Sequence, residues 1–292
     1  MTSNWNGFFS LTFIGDFRPS RNGYFRPSLT FFQIFILSVL IVLFFVINFA
    51  DLLASIIATV GYKTEELPHW LRIASAYGRI PLSVAIVVFA IIGIRHKNKE
   101  TILNPDNNTY HNHFYLSYLI CAKILGYRHC RLKNVPIPMQ VKLVTNGVFE
   151  KFIIGEGIHD TPKEDKITIT QSRDDPFTST VNLVISDTYK VTISQLPGSV
   201  LHFSTFEIDR SSSDHMRYSS EELVKQVIST IRNLPKNVVR INAFMTTNPI
   251  NTYRIAKEAF ATAGRDRVKH LYLFQQESEE PRNFKDKGKK IF

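Results

Sequence analysis

Polar and apolar positions divide the chain into three rhythms. Residues 31–50 run for 20 positions without a charge, and residues 81–94 add 14 more. An uncharged run of about 18 or more predicts a membrane-spanning helix. The helical pattern continues through residues 51–60. A helix over 31–60 would be about 45 Å long at roughly 1.5 Å per residue, so it is expected to tilt or protrude. The second run alone covers only about 21 Å, and residues 73–79 bring it to spanning length with Arg79 inside. Arg95, Lys97 and Lys99 follow it directly as a stop signal.

From residue 139 the period falls to two. Residues 139–145, 148–154, 166–170, 180–185, 189–194 and 200–208 are alternating or β-branched runs, separated by turn signals such as Asn146-Gly147 and Pro197-Gly198. The last part reads as α/β. Ser219 and Glu222 suit a capping box. Leu223, Val227, Ile228, Ile231 and Leu234 line one helical face. Asn248 with Pro249 opens a second helix, and Gly264 stops it. Strand 200–208, helix 220–234, strand 238–244, helix 249–263 and strand 268–274 make a βαβαβ unit, expected to be parallel and right-handed.

The expected fold is therefore a two-helix transmembrane hairpin with an α+β cytosolic domain, whose β-rich part precedes a Rossmann-like βαβαβ unit. The boundaries fall at a basic aromatic arm 1–30, the hairpin 31–98, and a linker with an amphipathic helix at 99–135. The cytosolic domain occupies 136–275, and a mixed-charge tail expected to be disordered occupies 276–292.

Charge orients the hairpin. The chain carries 35 Lys+Arg against 25 Asp+Glu. Arg18, Arg21 and Arg26 precede the first run, and the basic stop signal follows the second. The intervening loop sets Lys63 against Glu65 and Glu66. The positive-inside rule puts both termini in the cytoplasm. Within the runs, Asn48, Asp51, Ser55 and Thr59 share one helical face, and Ser75, Arg79 and Ser83 share another. Asn48, Asp51, Ser55 and Arg79 are the candidate pore-lining or membrane-polar residues, because ionisable groups at membrane depth mark pairing or an aqueous path. Snorkelling into the interface is the plainer alternative for them. Membrane lipids are expected partners, and Arg128, His129, Arg131 and Lys133 suit anionic headgroups.

Candidate chemistry elsewhere is sparse. Cys121 and Cys130 make no disulfide framework. His111 and His113 have no companion ligands at metal spacing, so no metal is expected. The chain holds neither a Gly-rich dinucleotide fingerprint nor a Walker-type phosphate loop, so no cofactor is expected. It also lacks a G-x-S-x-G elbow, and no enzyme activity is expected. In parallel sheets ligands bind past the carboxyl ends of the strands. Three segments lie there: 209–213, 245–248 and Gln275-Gln276. The candidate ligand residues are Arg210, Thr246, Thr247 and Asn248, with phosphate at the helix N-terminus that Asn248 opens.

The run Phe206-Glu207-Ile208-Asp209, and Ile241-Asn242-Ala243-Phe244 leading into Thr247-Asn248-Pro249, resemble half of a SAVED domain, a relative of the CRISPR-associated Rossmann-like sensors. With two apolar runs ahead of it, the layout is similar to two-helix membrane effectors of bacterial anti-phage nucleotide-signalling systems, of the CBASS or Hailong kind. That resemblance implies a homo-oligomer, expected to be a tetramer. It implies a response to a nucleotide or oligonucleotide second messenger made by a partner nucleotidyltransferase. It further implies a place in the bacterial inner membrane, and an ion channel or pore that depolarises or permeabilises that membrane in abortive infection. A membrane-anchored adaptor for a protein partner and a membrane-anchored enzyme are the alternatives.

Overall fold

The computed structural model describes residues 29–46, 55–56, 59, 79–105, 110–154, 166–172, 178–210, 217–263 and 268–292. The chain forms two compact units. One contains residues 1–102 and 113–128, the other 103–112 and 129–292.

In the first unit, helix α1 (Leu29–Val46) packs on α2 (Arg79–Asn98). Length and apolarity together correct the membrane expectation. Among the described residues no helix is long and apolar enough to cross a membrane. The 18 residues of α1 reach about 27 Å, short of a hydrocarbon core of about 30 Å. In α2 the apolar stretch lies between Arg79 and the closing Arg95, His96 and Lys97. The transmembrane hairpin and the inner-membrane location expected from the sequence are both corrected by this finding. The pore expectation loses its two spans with them. Asn48 and Asp51 lie outside the described residues. Ser55 is exposed, and its carbonyl accepts the Thr59 hydroxyl at 3.0 Å. Arg79 is the first residue of α2.

Side-chain amides join the two helices at one end. Gln33 Nε2 donates to Asn98 Oδ1 at 2.8 Å, and Asn98 Nδ2 donates back to Gln33 Oε1 at 2.9 Å. Asn98 Nδ2 also reaches the Leu125 carbonyl at 2.9 Å. That carbonyl follows α3 (Tyr115–Leu119), which runs on as a π-helical turn over Ile120–Ile124. The turn is closed by Gly126 at φ +77°, where a Cβ would meet the Arg95 side chain at 2.8 Å. Glycine alone adopts that φ without strain and leaves Arg95 its space.

The short strand β1 (Ile102–Leu103) falls at the chain boundary between the units. In the second unit, β2 (His129–Arg131) pairs in parallel with β3 (Lys151–Ile153). Between them lies helix α4 (Ile137–Thr145). The alternation over 139–145 predicts a strand, and the structure has a helix there. Pro138 sits within the first helical turn, and Val141, Leu143, Val144 and Thr145 are all buried. Residues buried on several sides erase the polar–apolar contrast on which period two depends.

The main sheet has six strands in the order β4-β6-β5-β7-β8-β9. They are β4 (Thr168–Ser172), β5 (Thr180–Ser186), β6 (Ser204–Asp209), β7 (Arg240–Met245), β8 (His270–Phe274) and β9 (Lys289–Lys290). The four inner strands run parallel, and β4 and β9 close the edges antiparallel. The chain moves from β5 outward to β6, then returns to β7 on the other side of β5. The strand order therefore reverses between β5 and β7. The fold is mixed α/β, in place of the expected β-rich part with an appended βαβαβ unit. Residues 189–194 form no strand. They belong to the β5–β6 connection, with a 3₁₀ turn at Ile193–Gln195.

Helices α4, α5 (Glu221–Arg232) and α6 (Pro249–Arg254) cover one face of the sheet. A π-helical segment, Ile255–Ala263, prolongs α6. Leu223, Val224, Val227 and Ile231 of α5 are buried there beside Leu183, Ile185, Ile241 and Leu271. Each such side chain contributes about 1.5–3 kcal/mol on burial. The cap of α5 is Ser220, one residue beyond the expected Ser219, and its side chain accepts from Leu223 N at 2.9 Å. The other face carries Val184, Phe244 and Phe274 under Val191, Leu196, Val200 and Phe284. The expected disordered tail is corrected by these contacts. Phe284 and Ile291 are buried, and Lys289 pairs with Leu273 at the sheet edge.

Candidate functional site at the carboxyl ends of the parallel strands

The structure brings Arg210, Thr246, Thr247 and Asn248 together at the β5/β7 reversal and buries all four. Their shared partner is Asp187, the residue after β5, which is not among the residues the sequence singles out. Arg210 Nη1 donates to Asp187 Oδ1 at 2.9 Å. The Asn248 backbone N–H, Asn248 Nδ2 and Asn251 Nδ2 all donate to Asp187 Oδ2, at 3.1, 3.0 and 3.0 Å. Thr246 Oγ1 accepts from Asp187 N at 3.3 Å and donates to the Tyr189 carbonyl at 2.8 Å. Thr247 and Thr252 bond through their hydroxyls at 2.7 Å.

The expected anion position is thus filled by the protein's own carboxylate. Asn248 Oδ1 also accepts the Ile250 and Asn251 N–H groups, which satisfies donors a phosphate would have used. The arrangement pins three loops. Asn248 Nδ2 and Asn251 Nδ2 both reach the Tyr218 carbonyl, at 2.8 and 2.9 Å, and Asn251 Oδ1 accepts from Ser220 N at 3.0 Å. The start of α5, the start of α6 and the end of β5 are held as one piece.

Beside this network a cavity of about 890 Å³ opens past the strand ends. Tyr189 after β5, Met245 at the end of β7 and Gln275-Gln276 after β8 line it. Gln275-Gln276 is the third segment expected at the strand ends. Tyr110, Arg217, Lys285 and Lys289 complete a polar and aromatic wall, and Glu277 and Glu279 form an acidic lip. Tyr189 Oη donates to Gln276 Oε1 at 2.6 Å, while Gln276 Nε2 is buried without a hydrogen-bond partner. Tyr110 is 55% exposed. Burial raises its phenol pKa, and a hydrogen bond with the Gln275 side chain works the other way. Burial also lowers the Lys289 pKa, and the charges of Lys285 and Lys142 lower it further.

Among the described residues no group of His, Cys, Asp or Glu is arranged to hold a metal ion. His111 is buried, and His113 meets the Tyr118 ring edge-on at 6.0 Å between centroids.

A family model described as "SMODS- and Ubiquitin system-associated 2TM effector domain" matches residues 20–292. The chain belongs to this SUa-2TM family. The SUa-2TM chain thereby carries the effector domain that its resemblance to anti-phage nucleotide-signalling effectors implied. The "2TM" of that description stands beside the finding that no described helix has the length and apolarity to cross a membrane. A comparison with curated proteins finds no match. Among solved structures, the chain is similar to two of the Acinetobacter baumannii Cap4 SAVED/CARF-domain containing receptor, one with the cyclic trinucleotide 2′3′3′-cAAA and one with 3′3′3′-cAAA. Both share 8% identity with a TM-score of 0.43, covering 60% of this chain and 42% of theirs. The SUa-2TM chain therefore spans under half the length of those receptors.

Asp187 escapes a reading of the sequence for a definable reason. Residues 180–185 read as one of several strands in a β-rich stretch, so their carboxyl end does not count among ligand-facing ends. The signal is a polar Ser186-Asp187 step closing the apolar run 183–185. Lys285 and Lys289 escape it because the tail looks too charged to fold.

Proposed function

We propose that this effector senses a nucleotide second messenger in the cavity at the strand ends. The observation that carries the reading is the lining itself. An exposed tyrosine ring, three cations and an unpartnered amide donor converge on a cavity of about 890 Å³ beside the strand-order reversal. Tyr110 offers a stacking surface for a base. Arg217, Lys285 and Lys289 offer charge to phosphates. The volume suits a ligand of small-molecule to short-oligonucleotide size. The effectors the sequence resembles respond to a nucleotide made by a partner nucleotidyltransferase, and that is the ligand class assigned here.

In this reading Arg210, Thr246, Thr247 and Asn248 do not touch the ligand. They lock the loops that frame it. The domain binds its nucleotide and leaves it unchanged. Assembly into a homo-oligomer, expected to be a tetramer, would cover apolar side chains that α1 and α2 expose, such as Phe32 and Phe89 at 54% and 71%. Light scattering on the full chain measures that state.

Calorimetry with the full chain and a panel of cyclic di- and trinucleotides tests the ligand. One member should bind, weaken about tenfold or more with Tyr110→Ala, and be recovered intact. Stacking on one base is worth roughly 1–3 kcal/mol, which sets that factor. A panel with no binder, or a binder indifferent to Tyr110→Ala, would overturn the reading.

A further inference from the structure

The folded tail builds part of the cavity. Lys285 is anchored where its backbone N–H donates to the Gln275 carbonyl at 2.9 Å. Lys289 sits opposite Leu273 in the β8–β9 ladder, which places it at the sheet edge near α4. Lys142 of α4 donates to the Lys290 carbonyl at 3.2 Å. Lys285 and Lys289 line the cavity, and the charge of Lys142 behind them acts on Lys289. Neither Lys285 nor Lys289 has a carboxylate within ion-pair distance among the described residues. Glu277 and Glu279 also line the cavity.

The like charges of Lys285 and Lys289 repel, and an anion placed between them removes that cost. Burial lowers the Lys289 pKa most, and the charges of Lys285 and Lys142 add to that lowering. Gln276 Nε2 supplies an additional buried donor with no partner among the described residues.

We propose that Lys285 and Lys289, backed by Lys142, form the phosphate-binding wall of the cavity, taking a phosphodiester or pyrophosphate group. The proposal rests on the cavity being the nucleotide site and assigns the polarity of the bound ligand. Its phosphates face the tail, and its base faces Tyr110.

The test uses the full chain in a phosphate-free buffer, with Lys285→Gln/Lys289→Gln beside the wild type. Sodium pyrophosphate, a cyclic nucleotide identified by the panel, and adenosine are titrated separately. Pyrophosphate should raise the wild-type Tm and leave the variant unmoved. The cyclic nucleotide should bind the variant about tenfold or more weakly, with a shallower salt dependence, and Lys→Arg at both positions should restore binding. Binding near pH 9–10 should take up protons in the wild type, read from calorimetry in buffers of different ionisation heat. A structural role for the lysines would not produce that uptake.

Pyrophosphate acting equally on both proteins, or on neither, overturns the lysine wall. A nucleotide that binds the variant as tightly as the wild type also overturns it, while leaving the cavity reading intact. Lysine-dependent pyrophosphate binding with no nucleotide binder separates the two the other way, so the wall stands and the nucleotide reading fails. Equal circular dichroism spectra for the two proteins exclude misfolding as the cause.

Discussion

Asp187 and Arg210 form an ion pair 2.9 Å apart, with side chains only 1% and 2% exposed. Breaking such a pair from one side leaves an uncompensated buried charge, which costs about 3–5 kcal/mol. Arg210→Met is expected to lose stability on that scale. Asp187→Asn should lose stability on the same scale, because it strands the buried Arg210 guanidinium instead. The double variant should recover part of the Arg210→Met loss, since no charge is then stranded. Urea unfolding of the four proteins measures the coupling, and strictly additive losses would mean the pair does not act as a unit.

The Gln33–Asn98 pair predicts a second asymmetry. Both residues are buried, at 4% and 0% exposure. Asn98→Leu removes the partners of Gln33 Nε2 and the Leu125 carbonyl, at roughly 1–3 kcal/mol for each group left unmade, and leaves Gln33 Oε1 the Tyr127 hydroxyl at 3.4 Å. Gln33→Leu leaves Asn98 its bond to Leu125 and should cost less. Thermal unfolding should rank them in that order, with Gly126→Ala also destabilising by about 1–2 kcal/mol from its left-handed φ alone.

Burial pushes the Cys121 thiol pKa up to about 12. The thiolate is the reactive form. Cys121 should therefore resist a thiol reagent at pH 8 in the native protein and react once urea unfolds it. The raised pKa also sets a sign with pH. Its stabilising effect is full below the ordinary thiol value of 9.0. It is lost as pH climbs from there through about 12, because the unfolded chain ionises first. A Cys121→Ala variant should lack that part of the alkaline loss.

Lys289 carries the opposite sign. Its folded-state pKa lies below 10.5. Between the two values the unfolded chain binds the extra proton, so wild-type stability rises with pH there. Lys289→Gln removes the repulsion at every pH. It should gain up to about 0.5 kcal/mol at pH 7, a small figure because the group is half-exposed and screened. That gain should shrink as pH approaches 10.5. Denaturant midpoints at the two ends, without phosphate, check it.

What the sequence determined by itself was local. The face of α5, written in Leu223, Val227 and Ile231, needs only a 3.6 period. The Asn248-Pro249 start of α6 needs only capping chemistry, and the structure shows Asn248 capping its own helix. The turn at Gly126 needs only a residue that tolerates positive φ. Family membership was also legible, because short runs such as 206–209 and 241–248 carry it. Tertiary structure decided everything that depends on which strand lies beside which. Strand order places Asp187 against Arg210 across 23 positions and against Asn248 across 61. No pattern along the chain encodes that pairing, so residues that suit phosphate ligands in the sequence hold a carboxylate from the neighbouring strand end. Burial decided α4 and the tail in the same way. Val141 and Leu143 alternate like a strand yet fill a helix packed between layers. Lys289, polar enough to suggest disorder, closes the sheet because backbone hydrogen bonds to β8 do not depend on its side chain.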